Sequence, residues 1–409
     1  MKHAARSVAL GVVLVCAVGT MVAGTASKSP CASGLWNDLK QYRLLCYTDI
    51  VPLLGTEQLQ RGRLPFLDPC RETTSNCDEY PVVTMYVMRV AAWIAGGSFE
   101  AFYYVNAVLL AICAAATAVC LWLLAGRRSL WFALAPTLLI YGTVNWDLVA
   151  VALATGALVA FADRRDGLTG VLLGLGAAAK LYPAFLVVPL FAQRLQDREP
   201  DRGVRILWST AAVWVLVNAP FAASAPGSWW EFFRFNSART ADFDSGWFIA
   251  CRHFESTCLS TGTVNLASAA AFVGLFASLW YFKRRRDPEF PRWTLGFPLL
   301  VSFLLTNKVY SPQYGLWLLP WFALTMPDIK RFIAFEVADV AVFVTRFWFF
   351  AELQGGSGSP QWLFESMIVL RAVALVWCLS SWLTREAPAL VLGARGWRAQ
   401  RPLAEAVPA

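Results

Sequence analysis

The stretch that decides the fold is Tyr103–Arg128, "YYVNAVLLAICAAATAVCLWLLAGRR". It holds no charge until its closing Arg127-Arg128 pair and exceeds the ~20 apolar residues that a helix needs to cross a bilayer core. The same unit recurs along the chain, apolar runs closed by basic bursts at Arg164-Arg165, from Arg194 to Arg205, from Lys283 to Arg286, at Lys330-Arg331 and from Arg385 onward. Bursts placed this way read as cytoplasmic turns, because short loops rich in Lys and Arg stay inside. Composition agrees: 57% of the residues are hydrophobic, 15% are charged, and the mean hydropathy is +0.51, far from the soluble globular range. The formal charge of +8 is then a record of topology, and nucleic acid is not expected as a partner.

Between bursts the chain must go out and return, which predicts an all-α polytopic membrane protein of about twelve spans with both termini inside. Val8–Gly24, after Lys2 and Arg6, is a first span or a cleavable signal segment, since "VAGTAS" offers small residues. Residues 25–102 form a long first outer loop with interfacial helices; "PVVTMYVMRVAAWIAGG" within it is short and interrupted by Arg89. Residues 223–261 form a second outer loop, 1–384 a single transmembrane domain, and 385–409 a cytoplasmic tail. Gly167–Phe191 must cross twice yet is too short for two full spans. Short helices around Lys180, and around "NWD" (Asn145 to Asp147), would leave a recess at membrane depth, where irregular backbone is tolerated only if it lines a cavity.

Six of the ten cysteines fall outside by this parity and the rest in apolar spans. An even number in an oxidising compartment predicts disulfides, with Cys70–Cys77 and Cys251–Cys258 paired by proximity. Only two histidines occur, without a clustered Cys/His set, so a metal centre is not expected.

Lysine is scarce, seven against 28 arginines. Lys180 in "KLYP" and Lys308 in "TNKVYSPQY" occupy tight outer turns between apolar helices. A cation there is costly unless it snorkels to the headgroups or meets an anion; two such lysines, each followed by Tyr and Pro (Tyr182, Tyr310), favour an anion site, and a lipid phosphate is the anion at that depth. Asp49 in "CYTDIVPLLG" reads as the cap of a short amphipathic helix, a position compatible with a general base. Glu79 and Asp147 are second-choice acids, the first expected to order the helix after Pro81 and the second to cap the helix from Leu148. In "FNSARTADFDSGWF", Asn236 and Arg239 join aromatic rings in the mixture that sugars require, whereas Trp229 and Trp230 read as an interfacial belt. Asn307 and Gln313 flank Lys308 and complete the candidate substrate-binding set.

Taken in order, "CYTDIVPLLG", "RGRLPF", "EYPVVTMY", "NWDLVAVALATGALVAF", "GVLLGLGAAAKLYPAFLVVPL", "FNSARTADFDSGWF" and "LLTNKVYSPQYGLWLLPW" resemble glycosyltransferase family 87. The resemblance implies a GT-C-type bundle from actinobacteria, a polyprenyl-phosphate sugar as donor, and an acid of the first outer loop, here Asp49, as catalytic base. Asp49 has no acidic neighbour until Glu57, unlike the paired acids of many GT-C enzymes, so neither metal nor other cofactor is expected. The expected reaction is inverting transfer of mannose to a cell-envelope glycolipid or glycan at the outer face of the plasma membrane. The competing classes are a transporter or lipid flippase and an accessory membrane protein.

Overall fold

The computed structural model describes residues 2–36, 38–70 and 77–390; residues 71–76 of the expected first outer loop, and the expected tail beyond residue 390, lie outside them. Among the described residues every regular element is helical, the solution that satisfies each backbone group within its own segment in hydrocarbon. Five helices are long and apolar enough to cross a membrane, at Val8–Cys31, Phe99–Ala133, Pro200–Ser224, Thr261–Arg286 and Gln361–Thr384. By length and composition that is five rather than about twelve. The remaining apolar sequence is cut into shorter pieces, among them Val82–Ile94, Asp147–Ala162 and Asp166–Ala179. The first helix runs on to Lys28, past the expected exit at Thr25. The next long one starts at Phe99, where the Ser98 hydroxyl accepts the Ala101 N–H.

Helices Asp147–Ala162 and Asp166–Ala179 contain 16 and 14 residues, only about 24 and 21 Å of rise. Both fall short of the ~30 Å of a bilayer's hydrocarbon core. Gly170 and Gly174 let Asp166–Ala179 lie directly on Pro200–Ser224: a Cβ at Gly170 would stand 2.6 Å from the Ile206 carbonyl oxygen, and one at Gly174 2.7 Å from that of Thr210. Small residues four apart permit this approach between membrane helices.

The polar residues gather at two opposite ends. At one end the basic bursts are held in ion pairs: Arg164 pairs with Glu199, Arg194 with Asp166 at 2.7 Å, and Arg385 with Asp328 at 2.8 Å. Lys283 donates to the Arg385 carbonyl, and Arg128 to that of Met326. At the other end lie "NWD", "KLYP", "TNKVYSPQY" and three disulfides. Cys70–Cys77 and Cys251–Cys258 are paired as expected, and the two remaining cysteines of the expected outer set form Cys31–Cys46. This third bridge fastens the end of the first helix to the segment that carries Asp49.

Candidate active site

A cavity of about 610 Å³ opens at the disulfide end, lined by Asp49, Glu79, Lys180, Tyr182, Asn236, Arg239, Asn307, Lys308 and Gln313 among others. Its size lies within the range of small-molecule sites. Asp147 and Tyr310 stand behind its wall.

Asp49 precedes the helix Ile50–Thr56, but its side chain caps nothing. Instead Tyr47 Oη donates to Asp49 Oδ1 at 2.7 Å, and Asn145 Nδ2 donates to Oδ2 at 2.9 Å. The backbone fixes this meeting across nearly one hundred residues: Asp49 N donates to the Val144 carbonyl at 2.9 Å, and Thr48 Oγ1 to that of Thr143 at 2.8 Å. Asn145 also donates to Tyr80 Oη at 2.7 Å, while its own Oδ1 accepts the Trp146 N–H. Both carboxylate oxygens are thus oriented by donors that are themselves held.

Each residue of "NWD" has a different task. Asn145 orients Asp49, and the buried Trp146 donates Nε1–H to Asn106 Oδ1 at 2.7 Å. Asp147 is the first residue of its helix rather than the cap, and no side chain caps that helix. Asp147 Oδ1 accepts Trp317 Nε1–H at 2.7 Å, and Oδ2 stands 3.5 Å from Lys180 Nζ. The Lys180 ammonium also lies over the rings of Tyr80 and Tyr314, 5.0 and 5.7 Å from their centroids. Tyr182 and Tyr314 both stack on Trp317, at 4.3 and 4.0 Å, so "KLYP" and "SPQY" grip one indole.

Lys308 is held by the end of the helix Pro226–Ala238: its ammonium donates to the carbonyls of Ser237, at 3.1 Å, and Arg239. A cation at the carbonyl end of a helix meets the negative pole of its dipole. Asn236 donates to its own helix at Phe232, and Asn307 donates to the Val309 carbonyl. Tyr310 is turned away from the cavity beneath Arg371, whose guanidinium lies 3.6 Å from its ring centroid; this aromatic supports the wall and does not form it.

Glu79 does not start the helix after Pro81, where Pro81 takes the capping position without a side-chain bond. Its backbone N–H donates to Glu57 Oε1 at 3.3 Å, and the neighbouring Asp78 N–H donates to Glu57 Oε2 at 2.7 Å. Asp78, at a left-handed φ of 65°, is clasped by the buried Arg63 and by the Phe66 N–H. This buried lock leaves the Glu79 carboxyl on the cavity wall without a hydrogen bond among the described residues. Burial, reinforced by Glu231 and Asp49 and opposed by Arg239, pushes Glu79 up to about 7.

Sequence reading did not single out Tyr47, Tyr80, Arg346, Tyr314 or Trp317, and it marked Asn145 only as part of the "NWD" turn. An arginine inside the apolar run "VAVFVTRFWFF" carries a signal, because an ionisable residue there asks for a partner. The aromatic residues carry none that distinguishes them from ordinary core.

These features define a helical membrane protein in which acids and cations from separate turns share one chamber. More particularly, the chain belongs to glycosyltransferase family 87, whose family model matches residues 79–307, and it is therefore a membrane glycosyltransferase. The match begins at Glu79 and ends at Asn307, so Lys308 lies one residue past it and Asp49 lies 30 residues before it. A search of curated proteins finds none that matches the chain.

Proposed function

We propose that the enzyme moves a sugar, with mannose the expected one, from polyprenyl phosphate to a cell-envelope glycolipid or glycan. The chamber faces outward from the plasma membrane, the basic end faces the cytoplasm, and the short helices count among about twelve crossings. Asp49 accepts the proton of an acceptor hydroxyl as that oxygen attacks the anomeric carbon from the face opposite the phosphate. The bond from anomeric carbon to phosphate oxygen breaks, and polyprenyl phosphate leaves with the electron pair and one additional negative charge. Lys180, Arg239 and Lys308 are cations that strengthen their hold as this charge develops. The observation that carries the reading is the presence of Asp49, Lys180 and Lys308 in the lining of one cavity.

Membranes containing the protein, supplied with radiolabelled polyprenyl-phosphate mannose, are expected to place label on a new acceptor with inversion at the anomeric carbon. Label that crosses the bilayer on an unchanged donor would instead mark a flippase. The rise at Glu79 gives a second expectation. Below about pH 7 this carboxyl is neutral, and above it a negative charge appears in the chamber that takes the donor phosphate. The donor KM should therefore climb several-fold from about pH 6 to about pH 8, and Glu79→Gln should flatten that climb. A KM profile that stays equally steep in the variant removes Glu79 as its source.

A further inference from the structure

Arg346 lies on the helix Ile329–Leu353, lines the cavity, and is tied to two carboxylates of the turn formed by residues 239–245. Its Nη1 donates to Asp244 Oδ1, its Nη2 stands 3.5 Å from Asp242 Oδ1, and its guanidinium lies over the Phe350 ring at 4.8 Å. The other oxygen of Asp242 receives Arg239 Nη2 at 2.9 Å. One carboxylate is therefore shared between an arginine on the chamber rim and an arginine packed beneath it. Asp244 is fully buried, and its Oδ2 faces Arg371 Nη2 at 3.8 Å; Arg371 Nη1 also meets Asp339 Oδ1 at 3.2 Å. The same turn is joined to the Lys308 segment, since Asp242 N donates to the Lys308 carbonyl at 2.9 Å.

Buried ion pairs of this kind add little stability over apolar packing, so their placement calls for another use. Were Asp242 to face Arg239 alone, it would cancel most of that cation's field toward the chamber. Sharing Asp242 with Arg346 leaves part of the Arg239 charge uncompensated while the turn is held in place.

We propose that Arg346 is a positioning residue for the phosphate-binding cation Arg239: it draws Asp242 inward and so leaves Arg239 free to hold the donor phosphate. The inference rests on the donor reading given above and adds a residue that does not itself touch the reacting atoms.

The test uses the full-length protein in nanodiscs, with dodecyl phosphate as the headgroup probe and donor KM and kcat measured in parallel. Arg346→Met is expected to raise the dodecyl phosphate Kd and the donor KM by roughly tenfold, the scale of one charge-assisted hydrogen bond, with kcat much less affected. Adding Asp242→Asn to Arg346→Met should bring both constants back toward the wild-type values, because the anion that cancels Arg239 has gone. A purely structural role predicts a double variant no better than the single one, and that result overturns the proposal. If Arg346→Met does not fold, Arg346→Lys serves, since one ammonium reaches one carboxylate at a time: an intermediate rise in both constants supports the proposal, and unchanged constants refute it. Wild-type protein that shows no binding of dodecyl phosphate and no transfer overturns the donor reading and this inference together. Wild-type binding that is unaltered by the Arg346 variants overturns the inference alone.

Discussion

Asp49→Asn is expected to fold as the parent does and to lose sugar transfer by roughly 10²–10⁴-fold, the contribution of a positioned general base. The amide is close to isosteric with the carboxyl, and Tyr47 and Asn145 can each still hydrogen-bond to it. What is lost is the capacity to take a proton from the acceptor hydroxyl. A defect confined to kcat, with donor binding retained, would locate the effect at the chemical step. Near-normal turnover in membranes would remove Asp49 as the base. Glu79, which lines the same cavity, would then be the acid to examine.

Replacing Lys180 with methionine should produce the largest structural effect. Asp147 is fully buried, and Lys180 is the cation that pairs with it. Removing one partner of a buried pair leaves an uncompensated charge and costs about 3–5 kcal/mol. The unfolding temperature in detergent should fall accordingly. Adding Asp147→Asn should restore much of the stability, because the stranded charge disappears while Trp317 can still donate to the amide oxygen. Transfer should not return with it if the ammonium also holds the donor phosphate. A double variant that regains both stability and activity would confine Lys180 to the pairing seen here.

Much of this site was legible as a set of anomalies. Lys180 and Lys308 stood out because a cation between apolar helices is costly, Asp49 through the resemblance that its motif carries, and nine of the eleven residues chosen for chemistry line the cavity. The assignments that moved did so for local reasons. Asp49 sits where a cap belongs and Asp147 one residue inside its helix, and each carboxylate has its partner from distant sequence, Asn145 for one and Trp317 for the other. Tyr310 shares its motif with Lys308 but is drawn beneath Arg371. The glycines of "GVLLG" are a spacing signal that sequence reading passed over, and they set the contact between the helices Asp166–Ala179 and Pro200–Ser224.

From sequence alone came the membrane class, the all-helical build, the position of the polar turns and two of the three disulfides. Those are properties of neighbouring residues: an apolar run, a basic burst and a short spacing each act within a few turns of chain. Tertiary packing decided which turn faces which. It brought Asn145 to Asp49, divided Asp242 between Arg239 and Arg346, and sent Asp147 behind the wall while Glu79 stayed in front. A charged side chain takes the nearest partner in space, and in a bundle of short, closely packed helices that partner is often a hundred residues away.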